Sequence, residues 1–224
     1  MFALILRLWR WAFWLVVIGL VGLGMAIAYA TVRPPISTLM LGRYITGKPV
    51  ERSWTPLADI SPNLAAAVVM SEDAQFCTHN GVDWDALTDV MHNPDGPSRG
   101  ASTIPMQVAK NLFLWPGRSY LRKALEIPLA LLLDAIWTKR RILEVYLNIA
   151  EWGNDGIFGA QAATLGYFKK SAGRISLREA ALLATTLPNP HLRNPNKPTR
   201  LQRSLTATVM ARTEASEPWV GCFR

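Results

Sequence analysis

Apolar side chains dominate one stretch near the beginning of the 224-residue chain. Between Trp11 and Val32 no residue carries a charge, and Arg10 and Arg33 flank the stretch. About 20 consecutive apolar residues cross a bilayer as a helix, so this pattern predicts a transmembrane helix at 11–32. The alternative is a cleavable signal peptide, which has a shorter apolar region and a small-residue cleavage site. Small residues that would suit such a site are present at Ala26, Ala28 and Ala30.

Helical periodicity characterises the rest of the chain, after the helix-breaking Arg33-Pro-Pro35. No run of alternating β-branched residues competes, so the pattern predicts an all-α domain of roughly eight to ten helices. Pro128 should kink or break the helix that contains it. The predicted helical segments are Ser61–Phe76, Trp84–Met91, one beginning near Pro105, Leu121–Trp137, Lys139–Ile149, Gly156–Phe168, and Ala180–Leu187 after a capping box at Ser176–Glu179.

These patterns divide the chain into four parts. We predict a cytoplasmic N-terminus at 1–10, the transmembrane helix at 11–32, a juxtamembrane segment at 33–55 and a folded domain at 56–224. The turn-rich stretch 92–99 contains two prolines and a glycine, so we expect an exposed or mobile loop there.

The formal net charge of +8 indicates an anionic partner: nucleic acid, membrane lipid or a phosphorylated substrate. Because the same chain carries a predicted membrane anchor, we expect membrane lipid or a phosphorylated substrate and no nucleic acid. Eight basic residues lie between Ser98 and Arg141. An ordinary solvated helix face would explain such a cluster equally well, so the cluster alone does not define a site.

The cysteines and histidines give weaker signals. Cys77 and Cys222 could pair in an oxidising compartment, but two cysteines are too few for a disulfide framework, and we interpret them as incidental thiols. Neither they nor the histidines have the spacing of metal ligands, so no metal site is predicted. The histidines are His79, His92 and His191.

Two carboxylates, Glu72 and Asp73, follow an otherwise apolar helical segment. Leu64, Val68 and Phe76 share a face with Glu72 at four-residue spacing, so its carboxylate should be drawn toward the core. Burial and the negative end of the helix dipole both raise the pKa of a carboxylate. A glutamate with a raised pKa is suited to general acid or base catalysis near neutral pH.

Three groups of residues have functional side-chain types, although each has an ordinary structural explanation. His79 is commonly a polar loop residue, Ser102 or Thr103 could be a helix N-cap, and Arg122 and Lys123 are spaced to form a surface salt bridge with Glu126. Together they combine two carboxylates with cations and hydroxyls that could hold phosphates, as a sugar linked to pyrophosphate would require. The groups are Glu72 and Asp73 with His79; Ser102 and Thr103 with Gln107, Lys110 and Asn111; and Arg118, Arg122 and Lys123 with Glu126.

Four segments within residues 56–190 resemble, in order and spacing, the signatures of the peptidoglycan glycosyltransferase family, which polymerises lipid-linked disaccharide into glycan strands. The resemblance implies a lysozyme-like, mostly helical fold with a smaller lobe that touches the membrane. The segments are Glu72-Asp-Ala-Gln-Phe-Cys-Thr-His79-Asn-Gly81-Val-Asp83, Gly100-Ala-Ser-Thr-Ile-Pro-Met-Gln107-Val-Ala-Lys110-Asn111-Leu-Phe-Leu114, Arg122-Lys-Ala-Leu-Glu126 through Lys139-Arg-Arg-Ile-Leu-Glu144-Val-Tyr146-Leu-Asn148, and Gly156-Ile-Phe-Gly159-Ala-Gln-Ala-Ala163.

The resemblance also implies roles for individual residues. Glu72 matches the catalytic base, which takes the proton from the 4-hydroxyl of the acceptor lipid II. Glu126 matches a second glutamate that assists departure of the pyrophosphate. The residues predicted to bind substrate are Asp73, His79, Ser102, Thr103, Gln107, Lys110, Asn111, Arg118, Arg122 and Lys123.

The chain departs from the family pattern at Pro105 and Met106, where many members have a threonine and another glutamine. It has no Ser-x-x-Lys motif of a penicillin-binding domain, so it resembles the monofunctional members. The resemblance implies no required cofactor, with a divalent cation at the diphosphate left open. Alternatives are a lysozyme-type glycan-cleaving enzyme and a non-catalytic membrane scaffold for a cell-wall complex.

The expected partners are lipid II, the growing glycan strand and membrane lipid, and other cell-wall synthases remain candidates. We expect a single-pass protein of the bacterial inner membrane, with its N-terminus inside and its catalytic domain in the periplasm. Charge does little to decide that orientation, because Arg7, Arg10 and the terminal amine on one side face Arg33, Arg43 and Lys48 on the other.

Overall fold

The computed structural model describes residues 2–92, 101–117, 119–153 and 155–223. They separate into one unit ending at Pro34 and a second, 35–224. The first contains a single long helix, α1 (Phe2–Tyr29). Among the described residues, α1 alone is long and apolar enough to cross a membrane, through its stretch Trp9–Tyr29 with mean hydropathy 2.2. This stretch begins and ends slightly before the predicted 11–32.

The second unit is mostly helical in the part of the chain that the structure describes. It also holds a small sheet and three short 3₁₀ turns, at 57–59, 172–174 and 217–219. The helices are α2 (Thr38–Ile45), α3 (Pro62–Glu72), α4 (Trp84–His92), α5 (Ile104–Phe113), α6 (Tyr120–Ile136), α7 (Lys139–Ile149), α8 (Ala160–Phe168), α9 (Leu177–Ala184) and α10 (Arg200–Glu214).

The small sheet consists of β1 (Glu51–Arg52), β2 (Glu151–Gly153) and β3 (Ile157–Phe158). β3 is the middle strand, parallel to β1 and antiparallel to β2. Its residues lie inside the segment predicted as one helix from Gly156, and α8 begins only at Ala160. The predicted juxtamembrane segment contains α2 and β1, and β1 joins this sheet.

Helix α3 is the central core helix. Every residue from Leu64 to Val69 is buried, and the helix packs against α9 and α10. A helix that is apolar on all sides is expected in such a position. α3 ends at Glu72, earlier than the predicted Phe76, and Asp73 caps it through an N–H bond to the carbonyl of Val69.

Several predicted boundaries agree closely with the structure. α7 spans the predicted residues, and α9 begins with the capping box formed by Ser176 and Glu179. Pro128 lies within α6 without ending it. α10 was not predicted, because the positions it buries at helical spacing are mainly polar: Gln202, Thr206, Val209 and Thr213.

The interpretation of the two cysteines as incidental thiols was wrong. Cys77 and Cys222 form a disulfide, although 145 residues separate them in sequence. The bond joins the loop after α3 to the segment after α10. Only the tertiary fold brings the two Cα atoms to 5.6 Å, so the sequence carried no local signal for pairing.

Candidate active site

A cleft of about 600 Å³ opens at the C-terminal end of α3. Its walls come from the end of α3, the start of α4, the start of α5 with the residues just before it, Pro188 and α10. Polar side chains from several parts of the chain therefore converge on one space. They include Glu72, Asp73, Ser102, Thr103, Gln107 and Arg212.

Glu72 is the last residue of α3 and lines this cleft. Its Oε2 atom accepts a hydrogen bond from Nε2 of Gln107 at 3.1 Å, whereas its buried Oε1 atom has no partner among the described residues. Burial raises the pKa of Glu72 to about 7, despite opposing effects of the Gln107 hydrogen bond and of the charges on Arg193 and Lys110. The carboxylate can therefore exchange a proton near neutral pH.

Gln107 is held in place by a second hydrogen bond. The hydroxyl of Tyr146, on α7, donates to Oε1 of Gln107 at 3.1 Å. Burial keeps the pKa of Tyr146 well above its ordinary value, so the hydroxyl remains a neutral donor. With its oxygen occupied in this way, the amide of Gln107 presents its nitrogen to Glu72.

Asp73 and His79 are bound to each other. Nε2 of His79 lies 2.9 and 3.1 Å from the two carboxylate oxygens of Asp73. The backbone N–H of Ile104 also donates to Oδ2 of Asp73 at 2.8 Å. The Asp73 carboxylate thus ties the end of α3 to the beginning of α5, and both of its oxygens are engaged within the protein.

Glu126, on α6, is at the centre of a buried ion cluster. Its side chain is only 2% exposed, and Arg122 bonds to its Oε1 atom. Nζ of Lys123 lies 2.9 Å from Oε2 and also donates to the hydroxyl of Ser102 at 2.8 Å. The alternative of an ordinary surface salt bridge is therefore wrong for Glu126 and Arg122, which are buried.

Lys110 and Asn111 line a neighbouring cavity of about 280 Å³, together with Arg122. Burial lowers the pKa of Lys110, while the charge of Glu126 acts in the opposite direction. Thr38 on α2 donates to the backbone carbonyl of Asn111 at 3.1 Å. Lys110 and Arg122 therefore share one cavity, and Lys123, next to Arg122 in the sequence, reaches the cleft through Ser102.

Thr103 is the N-cap of α5, which is the ordinary structural role expected for Ser102 or Thr103. Its hydroxyl accepts from the N–H of Met106 and donates to the carbonyl of Gly81 at 2.6 Å. Arg118 and residues 93–99 of the predicted loop at 92–99 lie outside the described residues, and His92 is the last residue of α4. Among the described residues, no group of three or more His, Cys, Asp or Glu is placed to hold a metal ion.

Sequence reasoning did not identify Tyr146, Arg193 or Arg212 as site residues. Tyr146 stands inside one of the four signature segments, so its position was available, but its partner Gln107 is 39 residues away. Arg193 and Arg212 lie outside those segments. Their proximity to the cleft follows from the packing of α9 and α10 on α3, for which the sequence had no local signal.

Comparison with known proteins gives a consistent result. The family model described as Transglycosylase matches residues 39–214. A biosynthetic peptidoglycan transglycosylase of Brucella suis is 55% identical over 192 residues, covering 85% of each chain. Those of Agrobacterium fabrum and Rhodopseudomonas palustris are 54% and 56% identical, covering 84% and 82% of this chain and 84% and 78% of theirs.

These matches confirm the family resemblance of the four signature segments, and with it the lysozyme-like helical fold. The family model covers most of the chain, and the relatives are more than half identical over most of their own length. The chain therefore belongs to the transglycosylase family.

Proposed function

We propose that this protein polymerises lipid II into linear β-1,4 glycan strands of peptidoglycan by inverting glycosyl transfer, with release of undecaprenyl pyrophosphate. Family membership and the names of the relatives support this proposal. The observation that carries it is the position of Glu72, a carboxylate with a pKa of about 7 that lines a cleft beside a cluster of cations. A transfer between two diphosphate-bearing sugars needs both a base and such cations.

In the first part of the reaction, ionised Glu72 acts as the general base. It takes the proton from the 4-hydroxyl of the acceptor as that oxygen attacks the anomeric carbon of the donor. Attack opposite the departing phosphate converts the α-linked phosphate to a β-glycosidic bond. Gln107 orients the carboxylate through its hydrogen bond to Oε2.

In the second part, the bond from the anomeric carbon to the diphosphate oxygen breaks, and negative charge grows on the pyrophosphate. Lys110, Arg122 and Lys123 supply positive charge for it. We assign polar contacts at the edge of the same region to Ser102, which is bonded to Lys123, and to Asn111, which lines the cavity of Lys110. Arg118 remains a predicted member of this group.

The role that best fits Glu126 is indirect. Its carboxylate is buried and bonded to both Arg122 and Lys123, so it holds these cations in position and balances their charge. Asp73 and His79 also have an indirect role in this proposal, because their contact with each other helps to position the end of α3 that carries Glu72. These three residues then act through neighbours that contact the substrate.

We further propose that α1 anchors the protein in the inner membrane, with the N-terminus inside and the catalytic unit in the periplasm. Both substrates are lipid-linked, so an anchored enzyme searches the surface on which they diffuse. The Cys77–Cys222 disulfide supports this orientation, because disulfides persist in the periplasm and are rare in the cytosol. Membrane lipid is thus a partner, and other cell-wall synthases remain candidates.

The decisive experiment is lipid II polymerisation by the purified full-length chain and its Glu72→Gln variant. We expect the wild type to release pyrophosphate-linked lipid and form strands, and the variant to lose activity by at least about a thousandfold while keeping its fold. Glu214→Gln changes an exposed glutamate of α10 and is the matched control. Near wild-type synthesis by Glu72→Gln would refute the assignment.

Two further arms separate the alternatives. Incubation with finished peptidoglycan tests for glycan cleavage, which together with inactivity on lipid II would favour a lysozyme-type enzyme. Inactivity of the wild type on both substrates would favour a non-catalytic scaffold. Addition of a chelator to the polymerisation assay tests for a divalent cation at the diphosphate.

A further inference from the structure

The loop that follows α3, residues 73–81, is held at both ends of its path by residues distant in sequence. We call it the catalytic loop, because it begins directly after Glu72. Asp73 at its start accepts from the N–H of Ile104, and Thr103 donates to the carbonyl of Gly81 at its end. These contacts fix the loop to the beginning of α5.

The middle of the catalytic loop is held by a different part of the chain. Residues 216–223, which we call the clasp, follow α10 and include Cys222, the disulfide partner of Cys77. The ring of Phe223 packs against the ring of Phe76 with 6.1 Å between centroids. Phe76 and Phe223 are 0% and 4% exposed, so the clasp closes over this part of the loop.

Helix α7 anchors both segments. Arg140 donates to the backbone carbonyl of Phe223 at 2.9 Å. The adjacent Lys139 donates to the carbonyl of His79 at 2.6 Å, and its ammonium group lies 4.9 Å from the centre of the Phe76 ring. Clasp, catalytic loop and the start of α7 therefore form one connected layer.

This layer has a mechanical consequence for Glu72. Helix ends fray readily, and α3 ends at a carboxylate whose ionised form is disfavoured by burial. Ionisation therefore favours any movement that exposes the side chain to water. A tether immediately downstream opposes that movement, because the catalytic loop cannot shift without breaking contacts in the clasp.

We propose that Cys77, Cys222 and Phe223 are positioning residues for glycosyl transfer: the clasp keeps the catalytic loop, and through it Glu72, in the buried geometry bonded to Gln107. The activity part of this inference rests on the proposed function. The structural part does not, since it concerns only whether opening the clasp loosens the contact between Asp73 and the N–H of Ile104.

Opening the disulfide is a balanced two-electron reaction. A dithiol reductant donates two electrons and two protons, the S–S bond breaks, Cys77 and Cys222 become thiols, and the reductant becomes a disulfide. The test therefore compares the oxidised full-length protein, the same protein after reduction, and the Cys77→Ser/Cys222→Ser double variant. Phe223→Ala removes the ring contact while keeping the disulfide.

Two readouts distinguish positioning from a general loss of stability. The first is the pH dependence of kcat for lipid II polymerisation. The charged and titratable groups near Glu72 are Asp73 beside it, Lys110 on α5, Tyr146 on α7 and Arg193 after α9, with Arg212 on α10 lining the cleft. None belongs to the clasp, so opening it acts on the pKa of Glu72 in two ways: greater solvation lowers the pKa, and a weaker hydrogen bond from Gln107 raises it. Burial is the larger of the two effects in the closed protein, so solvation sets the direction of the shift. The second readout is hydrogen exchange at the backbone amide of Ile104.

We expect reduction to lower kcat about tenfold with less than a twofold change in KM. It should also move the acidic limb of the pH profile of kcat toward lower pH by roughly half a pH unit. Exchange at Ile104 should accelerate at least about tenfold. Reoxidation should restore all three. Phe158→Leu, in buried β3, is the control: it should lower thermal stability without moving the acidic limb or the Ile104 exchange.

Unchanged exchange at Ile104 and an unchanged acidic limb after reduction would overturn the inference, even if thermal stability fell. If the oxidised wild type failed to polymerise lipid II, the proposed function would fail, and the exchange measurement alone would decide the inference. If Phe158→Leu reproduced both effects of reduction, the disulfide would be only a stabilising cross-link, and the positioning role would be rejected.

Discussion

The side-chain nitrogen of Gln107 lies 3.1 Å from Oε2 of Glu72, across the contact between the start of α5 and the end of α3. A hydrogen bond donated to a carboxylate stabilises its ionised form, whereas burial favours the protonated form. Burial dominates here, since the pKa of Glu72 is raised to about 7 from its ordinary 4.5. The proposed base is therefore only partly ionised at neutral pH and sensitive to each of its neighbours.

The first prediction concerns the pH profile of polymerisation. A base must be deprotonated, so activity of the wild type should fall below a midpoint near the pKa of about 7. Gln107→Leu removes the hydrogen bond and should move this midpoint upward by roughly half to one pH unit. Gln161→Leu loses a hydrogen bond accepted from the N–H of Ala172, and since neither residue lines the cleft it should not move the midpoint. A Gln107→Leu midpoint equal to that of the wild type would contradict the role of this amide.

The second prediction tests how Gln107 is oriented. Tyr146→Phe removes the hydroxyl that occupies Oε1 of Gln107, so the amide can rotate and its hydrogen bond to Glu72 should weaken. We expect the acidic midpoint to move in the same direction as in Gln107→Leu but by less. Tyr167→Phe is the matched control, because that hydroxyl donates to the backbone carbonyl of Trp152 at 2.9 Å. Combining Tyr146→Phe with Gln107→Leu should add nothing to the shift, and additive shifts would argue against this coupling.

The sequence predicted the unusual environment of Glu72 but not the whole reason for it. Leu64 and Val68 placed its face toward the core, and the structure buries both. Phe76 is buried too, although it lies beyond the end of α3 in the catalytic loop. The spacing of Phe76 from Glu72 is the same whether the helix continues to Phe76 or ends before it. The sequence therefore cannot distinguish a longer helix from a loop that buries the same side chain.

Partners across the fold were beyond what a local pattern can indicate. Lys123 and Glu126 lie three residues apart on one helix, so their contact was predictable, but the burial of Glu126 depends on how α5 packs against α6. The Cys77–Cys222 bond similarly depends on the path of the chain after α10. The family signatures supplied residue identities where spacing could not, because they summarise contacts between distant segments.

The third prediction concerns stability. The carboxyl of Glu72 has a higher pKa in the folded protein than its ordinary 4.5, so the folded state binds more protons and the wild type loses stability as pH rises from about 4.5 to 7. Glu72→Gln cannot ionise. It should therefore be more stable than the wild type by about 2 kcal/mol at pH 8, after allowance for partial solvent screening, and nearly equal at pH 4. Denaturant unfolding at both pH values measures this, and a variant less stable than the wild type at pH 8 would contradict it.

The fourth prediction concerns the buried ion cluster. Glu126→Ala leaves Arg122 buried without its carboxylate partner, which should destabilise the fold by about 3 kcal/mol. Lys170→Ala breaks the more exposed pair between Lys170 and Glu179 and should cost less than about 1 kcal/mol. Thermal unfolding of both variants gives the comparison. Equal losses would mean that the pair of Arg122 and Glu126 is solvated rather than buried.

The fifth prediction concerns the turn that ends the catalytic loop. Gly81 has φ of +81°, and a Cβ atom there would lie 2.6 Å from the carbonyl oxygen of Ala130 on α6. Gly81→Ala therefore combines backbone strain with a clash against a helix backbone, and we expect a loss of about 3 kcal/mol or more. Gly42→Ala is the matched control, because it lies in α2 with nothing within 4 Å and should be neutral or slightly stabilising.

Gly81→Ala should also lower the activity of the enzyme. The carbonyl of Gly81 accepts a hydrogen bond from the hydroxyl of Thr103, and Thr103 caps α5, the helix that carries Gln107. Displacement of Gly81 should therefore disturb both sides of the cleft. We expect Gly81→Ala, assayed below its unfolding temperature, to lose polymerase activity about tenfold, whereas Gly42→Ala retains it. Full activity in a folded Gly81→Ala protein would mean that α6 moves aside and that the turn does not position α5. Since the carbonyl of Ala130 belongs to a continuous helix, such a movement would have to displace the ion cluster of Glu126 as well.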